Sequence, residues 1–411
     1  MPEGSQLVEA FVLFFEELLR IAGPRISVSP RRSAKRIPGT RDSPKIPNPR
    51  ELGFHRDGIL ADLTAGDLNP NFSMAAPHFS ERIQNAFSGL GRRLVRRNKR
   101  ARAADLEFCV LTEAGVLEAQ ALLLCRSIRK FAGAYSSAAI VAVSPRPDRR
   151  PGRASIEELE RLHVEYLELD VQTPLPSFGP AFKIHAVAHI ARRAGPPVLV
   201  QIDSDTLFLS EPDFSLEHVD VAARPVDVKG ICTAGADDPL DEYWQSICRL
   251  CEIEYEQLPL VTTTVDGETV RASYNGGLVA VRRDSGILQR AEDFFLRLIT
   301  YKVRPNTGSG VLRSGVETVT AENYGFWGVG QAALSLSIAS MHGKVKILPA
   351  TYNVPLHMFD LLDPAAGMPI HVHYHWLCSV DGCPVNPMLD GRMALSDDVL
   401  AWLKQLLPLN K

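Results

Sequence analysis

From Ala104 onward, short apolar runs alternate with longer stretches whose apolar residues recur every three or four positions. Leu106–Thr112 predicts a strand, and Gly115–Phe131 a helix with Leu117, Ala121, Leu124 and Ile128 on one face. Ala138–Ser144 predicts a second strand. Ser155 is placed to cap a helix whose first turn holds Glu157 and Glu158. Tyr166–Leu169 predicts a third strand, and Phe182–Ala194 a helix stopped by Gly195-Pro196-Pro197. The apolar run Val198-Leu-Val-Gln-Ile202 then leads into Asp203-Ser204-Asp205-Thr206. Such alternation predicts an α/β fold, a parallel sheet covered by helices on both faces, with ligands at the carboxyl ends of the strands. The second half is less regular. It predicts helices near Tyr243–Glu254, Ile287–Tyr301 and Trp327–Met341, and strands at Tyr274–Val281, Val345–Leu348 and Ile370–His375.

The N-terminal hundred residues differ in character. An amphipathic helix is expected over residues 1–22, then a basic, Pro-containing, partly disordered linker over 23–103, then the α/β domain over 104–411. Residues 20–103 carry 18 Lys/Arg against 6 Asp/Glu, whereas residues 104–411 carry 27 against 38. The basic segment reads as a solvated joint, with weak contact to a membrane or partner as the second reading. Nucleic acid is not favoured, because no aromatic residues interleave with Arg92–Arg102. No segment holds the ~20 apolar residues of a membrane span. Cys248 and Cys251 stand at i, i+3 in a helical pattern, and this lone pair supports no zinc site. Buried, reduced thiols and a cytoplasmic location are expected.

The chemistry concentrates after the fourth strand. Asp203 and Asp205 lie two apart on extended backbone, so both can converge on one hard cation. Burying them without a partner would be expensive. His371, His373 and His375 alternate along another apolar run and share one face; imidazole suits manganese better than magnesium. In Asn275-Gly276-Gly277 the glycines admit close backbone approach to a ligand, and the amide can read hydroxyls. Gln331 opens a helix after Gly325, Gly328 and Gly330.

Together these pieces resemble the GT-A fold glycosyltransferases (a Rossmann-like, mixed, mostly parallel sheet flanked by helices), and most closely glycosyltransferase family eight, over roughly residues 105–380. The matching features, in order, are Thr112, Lys183, Asp203-Ser204-Asp205, Asn275-Gly276-Gly277, Gln331, Ile347-Leu348-Pro349 before Tyr352-Asn353, and His373-Tyr374. The resemblance implies a hexosyltransferase in which Asp203, Asp205 and His373 hold Mn2+ (or Mg2+) against the diphosphate of a nucleotide-sugar, with a UDP-sugar favoured. It further implies Thr112 and Ser204 on the nucleotide side, Lys183 on phosphate or sugar, and Asn275, Gly276, Gly277 and Gln331 on the sugar. Asp205, Gln331 and Asn275 are the expected catalytic residues. The acceptor is a glycan, protein, lipid or small molecule. Two positions depart from the pattern: Gly330 stands where Asp usually precedes the glutamine, and His375-Trp376-Leu377-Cys378 replaces the usual Gly-x-x-Lys-Pro-Trp.

The same letters permit a haloacid-dehalogenase-type phosphatase, with Asp203 as nucleophile, Asp205 as acid/base and Lys229 near Asp237-Asp238 as partner. That motif normally lies on the first strand of its domain. Here about a hundred residues of βα pattern precede it. A catalytically degenerate sugar-nucleotide or partner-binding protein is the third reading.

Overall fold

The computed structural model describes residues 103–305, 312–313, 318–319, 321–374, 388 and 391–406. The helix expected over 1–22, the linker expected over 23–103 (apart from Ala103), and His375 lie outside them.

In chain order the elements are β1 (Leu106–Leu111), α1 (Val116–Phe131), β2 (Ala139–Ser144), α2 (Arg153–Arg161), β3 (Glu165–Glu168), α3 (Gly179–Arg192), β4 (Val198–Ile202), β5 (Thr206–Phe208) and β6 (Val221–Pro225). There follow α4 (Asp241–Leu250), β7 (Leu260–Thr262), β8 (Thr269–Arg271), β9 (Tyr274–Arg282), α5 (Ile287–Thr300), β10 (Leu312–Arg313), β11 (Thr318–Val319), α6 (Ala321–Tyr324), α7 (Val329–Ser340), β12 (Val345–Ile347), β13 (Val354–Pro355), β14 (His371–His373) and α8 (Asp397–Leu406).

The main sheet has the order β12-β6-β9-β4-β1-β2-β3. Strands β3, β2, β1 and β4 run parallel. β9 is antiparallel to both of its neighbours, β4 and β6. The alternation of apolar runs implied a parallel sheet; the antiparallel β9 makes it the mixed, mostly parallel sheet that the family resemblance implied. Both faces are covered, as the near-continuous apolar strands require. Leu106, Phe108 and Val110 of β1 pack with Leu124 and Ile128 of α1. Cys109, between them, packs on the opposite side with Val187 of α3, Leu288 of α5 and Leu334 of α7.

A second sheet, β13-β14-β5, joins two distant segments to the loop after β4. β14 pairs antiparallel with β5, setting His373 opposite Thr206 and His371 opposite Phe208. Its three strands are two or three residues long, so pairing partners rather than local periodicity decide them.

Three local expectations are corrected. Helix α2 starts one turn before Ser155, after Gly152. The Ser155 hydroxyl instead donates to Glu118 of α1, tying the two helices together. The histidine strand, expected over Ile370–His375, spans His371–His373. Helix α4 ends at Leu250, where Cys251 caps it. Cys109, Cys125, Cys232, Cys248 and Cys251 are free and buried, as expected. Burial pushes the Cys248 thiol up to about 12 and that of Cys251 up to about 11, away from reactivity. Among the described residues, no helix is long and apolar enough to cross a membrane.

Candidate active site

Because β9 runs antiparallel to β4, its first residues emerge beside the carboxyl end of β4. The Asp203 amide donates to the Gly277 carbonyl at 2.8 Å, so the aspartate and glycine motifs are neighbours through their backbones. Asp203, Asp205 and His373 each offer one ligand atom, and these atoms lie within 4.8 Å of one another. His373 Nε2 is 3.1 Å from Asp205 Oδ1. Two carboxylate oxygens and one imidazole nitrogen form a donor set suited to a divalent cation such as Mn2+.

Internal partners hold both carboxylates. Lys183, on α3, donates its ammonium to Asp203 and, at 2.7 Å, to the Gly276 carbonyl. Gln201 Nε2 reaches the same carbonyl at 2.9 Å. Burial works against protonation of His373, yet Asp205, with help from Asp203 and Asp227, raises its pKa above the ordinary imidazole value. Between the aspartates, Ser204 turns inward and donates to the Leu111 carbonyl at 2.5 Å, which anchors the loop to the end of β1 beside Thr112. Thr112 itself is buried, its amide bonded to the Val143 carbonyl at 2.9 Å.

The glycines are needed for space. A Cβ on Gly277 would lie 2.9 Å from Asp203 Oδ2, 3.0 Å from Asn353 Nδ2 and 3.1 Å from Asn275 Oδ1. At Gly276 the nearest atoms, on Gln201 and Gln331, are 3.8 Å away, which places Gln331 of α7 against the same segment. At Gly330, one residue earlier, a Cβ would approach Ile184 Cδ1 to 2.9 Å. Helix α7 therefore lies tight against α3, where the family pattern carries an aspartate.

Sequence reasoning missed the support behind Asn275. Its amide donates to Asp227 at 3.0 Å, and Asp227 is paired at 2.6 Å with Arg224, which is only 1% exposed. A buried arginine on an apolar strand was the signal available. The histidines divide. His373 faces Asp205, whereas His371 is fully buried against the Phe208 ring, with centroids 4.6 Å apart, and neither of its nitrogens has a hydrogen-bond partner. His371 is a packing residue outside the donor cluster. Lys229, the phosphatase candidate, is bound to Asp238 at 2.8 Å, and Asp238 also accepts from the amides of Ala234 and Leu240.

Residues 108–305, which include both aspartates and the glycine motif, match the model of the Rhodobacterales glycosyltransferase domain. Residues 108–305 thus carry a divergent glycosyltransferase domain. Among solved structures, this glycosyltransferase is similar to the bifunctional enzyme WbbM, with 15% identity and a TM-score of 0.40 over 69% of this chain and 47% of that one. The chain thus spans about half of WbbM. It is also similar to the galactosyltransferase LgtC in complex with donor and acceptor sugar analogues, with 11% identity and a TM-score of 0.40 over 74% of this chain and 97% of that one. No curated protein matches it.

Proposed function

We propose that this glycosyltransferase moves a hexose from a nucleoside-diphosphate sugar, with a UDP-sugar favoured, to an acceptor hydroxyl in a reaction that depends on a divalent metal. The observation that carries this reading is the convergence of Asp203, Asp205 and His373 at the end of β4, flanked by Lys183 and the Asn275-Gly276-Gly277 segment.

Asp203, Asp205 and His373 would hold Mn2+ (or Mg2+), which when bound supplies charge neutralisation for the diphosphate leaving group. The chain's own residues account for the rest. Lys183 sits where its ammonium can leave Asp203 for a phosphate oxygen. Thr112 and Ser204, beside the end of β1, would line the nucleotide side. Asn275 is held by Asp227 and presents its carboxamide beside the glycines, and Gln331 flanks Gly276 from α7. Asn275 and Gln331 would orient the sugar, and Asp205 would bring the second carboxylate to the reacting end. The bare backbone at Gly276 and Gly277 lets the sugar approach closely. The expected domain spans residues 104–411, and the five buried thiols among the described residues, none in a disulfide, favour a reducing, cytoplasmic setting.

Manganese-dependent hydrolysis of a UDP-sugar, lost in Asp205→Ala, tests this reading. Release of phosphate from phosphomonoesters, lost in Asp203→Asn, would replace it with the phosphatase. The engagement of Lys229 with Asp238, and of Lys183 with Asp203, argues against that outcome.

A further inference from the structure

Asn353 stands directly before β13 with φ of 47°, in the left-handed region that few non-glycine residues adopt. It is 1% exposed, yet neither its Oδ1 nor its Nδ2 has a hydrogen-bond partner. An unpaired buried carboxamide costs ~1–3 kcal/mol, so the surroundings must hold the residue in place. They do so through its backbone. The Asn353 carbonyl accepts from Arg224 Nη1 at 2.7 Å, and the hydroxyl of the adjacent Tyr352 accepts from the Asp213 amide at 2.7 Å.

The side chain is aimed at the donor cluster. The point where a Cβ on Gly277 would sit is 3.0 Å from Asn353 Nδ2 and 2.9 Å from Asp203 Oδ2. The third atom converging there, Asn275 Oδ1, already accepts from the Gly277 amide at 2.9 Å. The two groups at this glycine-sized gap still without a settled partner are therefore the Asn353 amide and the second oxygen of Asp203. The first oxygen of Asp203 is engaged by Lys183.

We infer that Asn353 is a positioning residue for Asp203, donating its side-chain N–H to Asp203 Oδ2 when Oδ1 turns from Lys183 to a divalent cation. This rests on the metal reading proposed above. A cation at Asp203 and Asp205 repels the Lys183 ammonium, and the carboxylate that loses Lys183 needs a neutral donor to keep its orientation. A carboxamide supplies that hydrogen bond without adding charge, as groups behind metal ligands commonly do.

The test is titration of Mn2+ alone into the full chain without donor, with free manganese followed by electron paramagnetic resonance. Asn353→Gly removes the amide and tolerates the left-handed backbone, so its melting temperature should stay near that of the wild type. Its manganese affinity should fall by ~10-fold or more, the usual effect of losing such a partner. Asn353→Ser, too short to reach Asp203, should weaken binding equally and covers the case in which the glycine variant fails to fold. Equal affinity in wild type and folded variants overturns the assignment and leaves the metal site standing. Absence of manganese binding by the wild type overturns the metal site, and the assignment with it.

Discussion

His373 Nε2 lies 3.1 Å from Asp205 Oδ1, joining the end of β14 to the loop after β4. Asp205 holds the imidazole pKa above its ordinary value against the opposing effect of burial. A group raised in the folded state stabilises fully below its unfolded pKa and loses that contribution as pH rises through the folded value. In metal-free protein, wild type should therefore exceed His373→Gln in melting temperature at about pH 6. The gap should close as pH rises, and thermal melts across a pH series would show it. Manganese affinity should run the other way, increasing with pH as the proton leaves His373.

His371 predicts the opposite slope. Burial pushes its pKa well below 6.5, so it stays neutral in the fold while the unfolded chain takes up a proton. Stability should fall as pH drops below 6.5. Chemical denaturation of His371→Phe between pH 7 and 5 should show a shallower decline than wild type, since the phenyl ring replaces the imidazole against Phe208.

Gly277→Ala and Gly276→Ala should separate sharply, although the two positions are adjacent. The new methyl at 277 meets three polar atoms at 2.9–3.1 Å, among them Asp203 Oδ2, whereas at 276 the nearest atoms are 3.8 Å away. Manganese affinity should drop by ~10-fold or more in the first and stay within about twofold in the second. Isothermal titration of the two variants checks this.

Lys183→Met removes one charged partner of Asp203 and the proposed phosphate contact. A hydrogen bond to a charged group contributes ~1.5–3 kcal/mol, so KM for the donor should rise by roughly 10- to 100-fold. Arg at this position should not restore it, because the planar guanidinium cannot take the place of an ammonium held between a carboxylate and the Gly276 carbonyl. Steady-state kinetics of donor hydrolysis on both variants would decide.

Arg224→Met should destabilise the domain strongly. The guanidinium is 1% exposed and paired with Asp227, and breaking a buried pair from one side costs ~3–5 kcal/mol. Urea denaturation should show this loss, and the Asn275 carboxamide should lose its fixed orientation.

The sheet was legible in the sequence because strands buried on both faces write themselves as continuous apolar runs. Val198–Ile202 and Tyr274–Arg282 are found within a residue or two of their observed ends. The aspartate pair was legible for the same reason, since polar residues stand out at the end of such a run. Ser155 misled because a serine ahead of two glutamates satisfies the rules for a cap, while its hydroxyl is used across helices instead. The alternating histidines could not be told apart in sequence. Only the pairing of β14 with β5 puts His373 opposite Thr206 and His371 against an aromatic ring. Asn353 appeared as one letter of a pattern, and its significance lies in a left-handed backbone and a gap at Gly277, which are properties of the fold.

Lys183 gives Asp203 an internal counter-charge, and His373 gives Asp205 one whenever its imidazole is protonated. The polypeptide can therefore complete its native arrangement in a metal-poor surrounding. On the proposed metal reading, loading would be an exchange in which an incoming cation displaces the Lys183 ammonium, and any proton on His373, separately from folding. A protein that worked as proposed would stay folded under chelation, and the metal supply around it would set its activity.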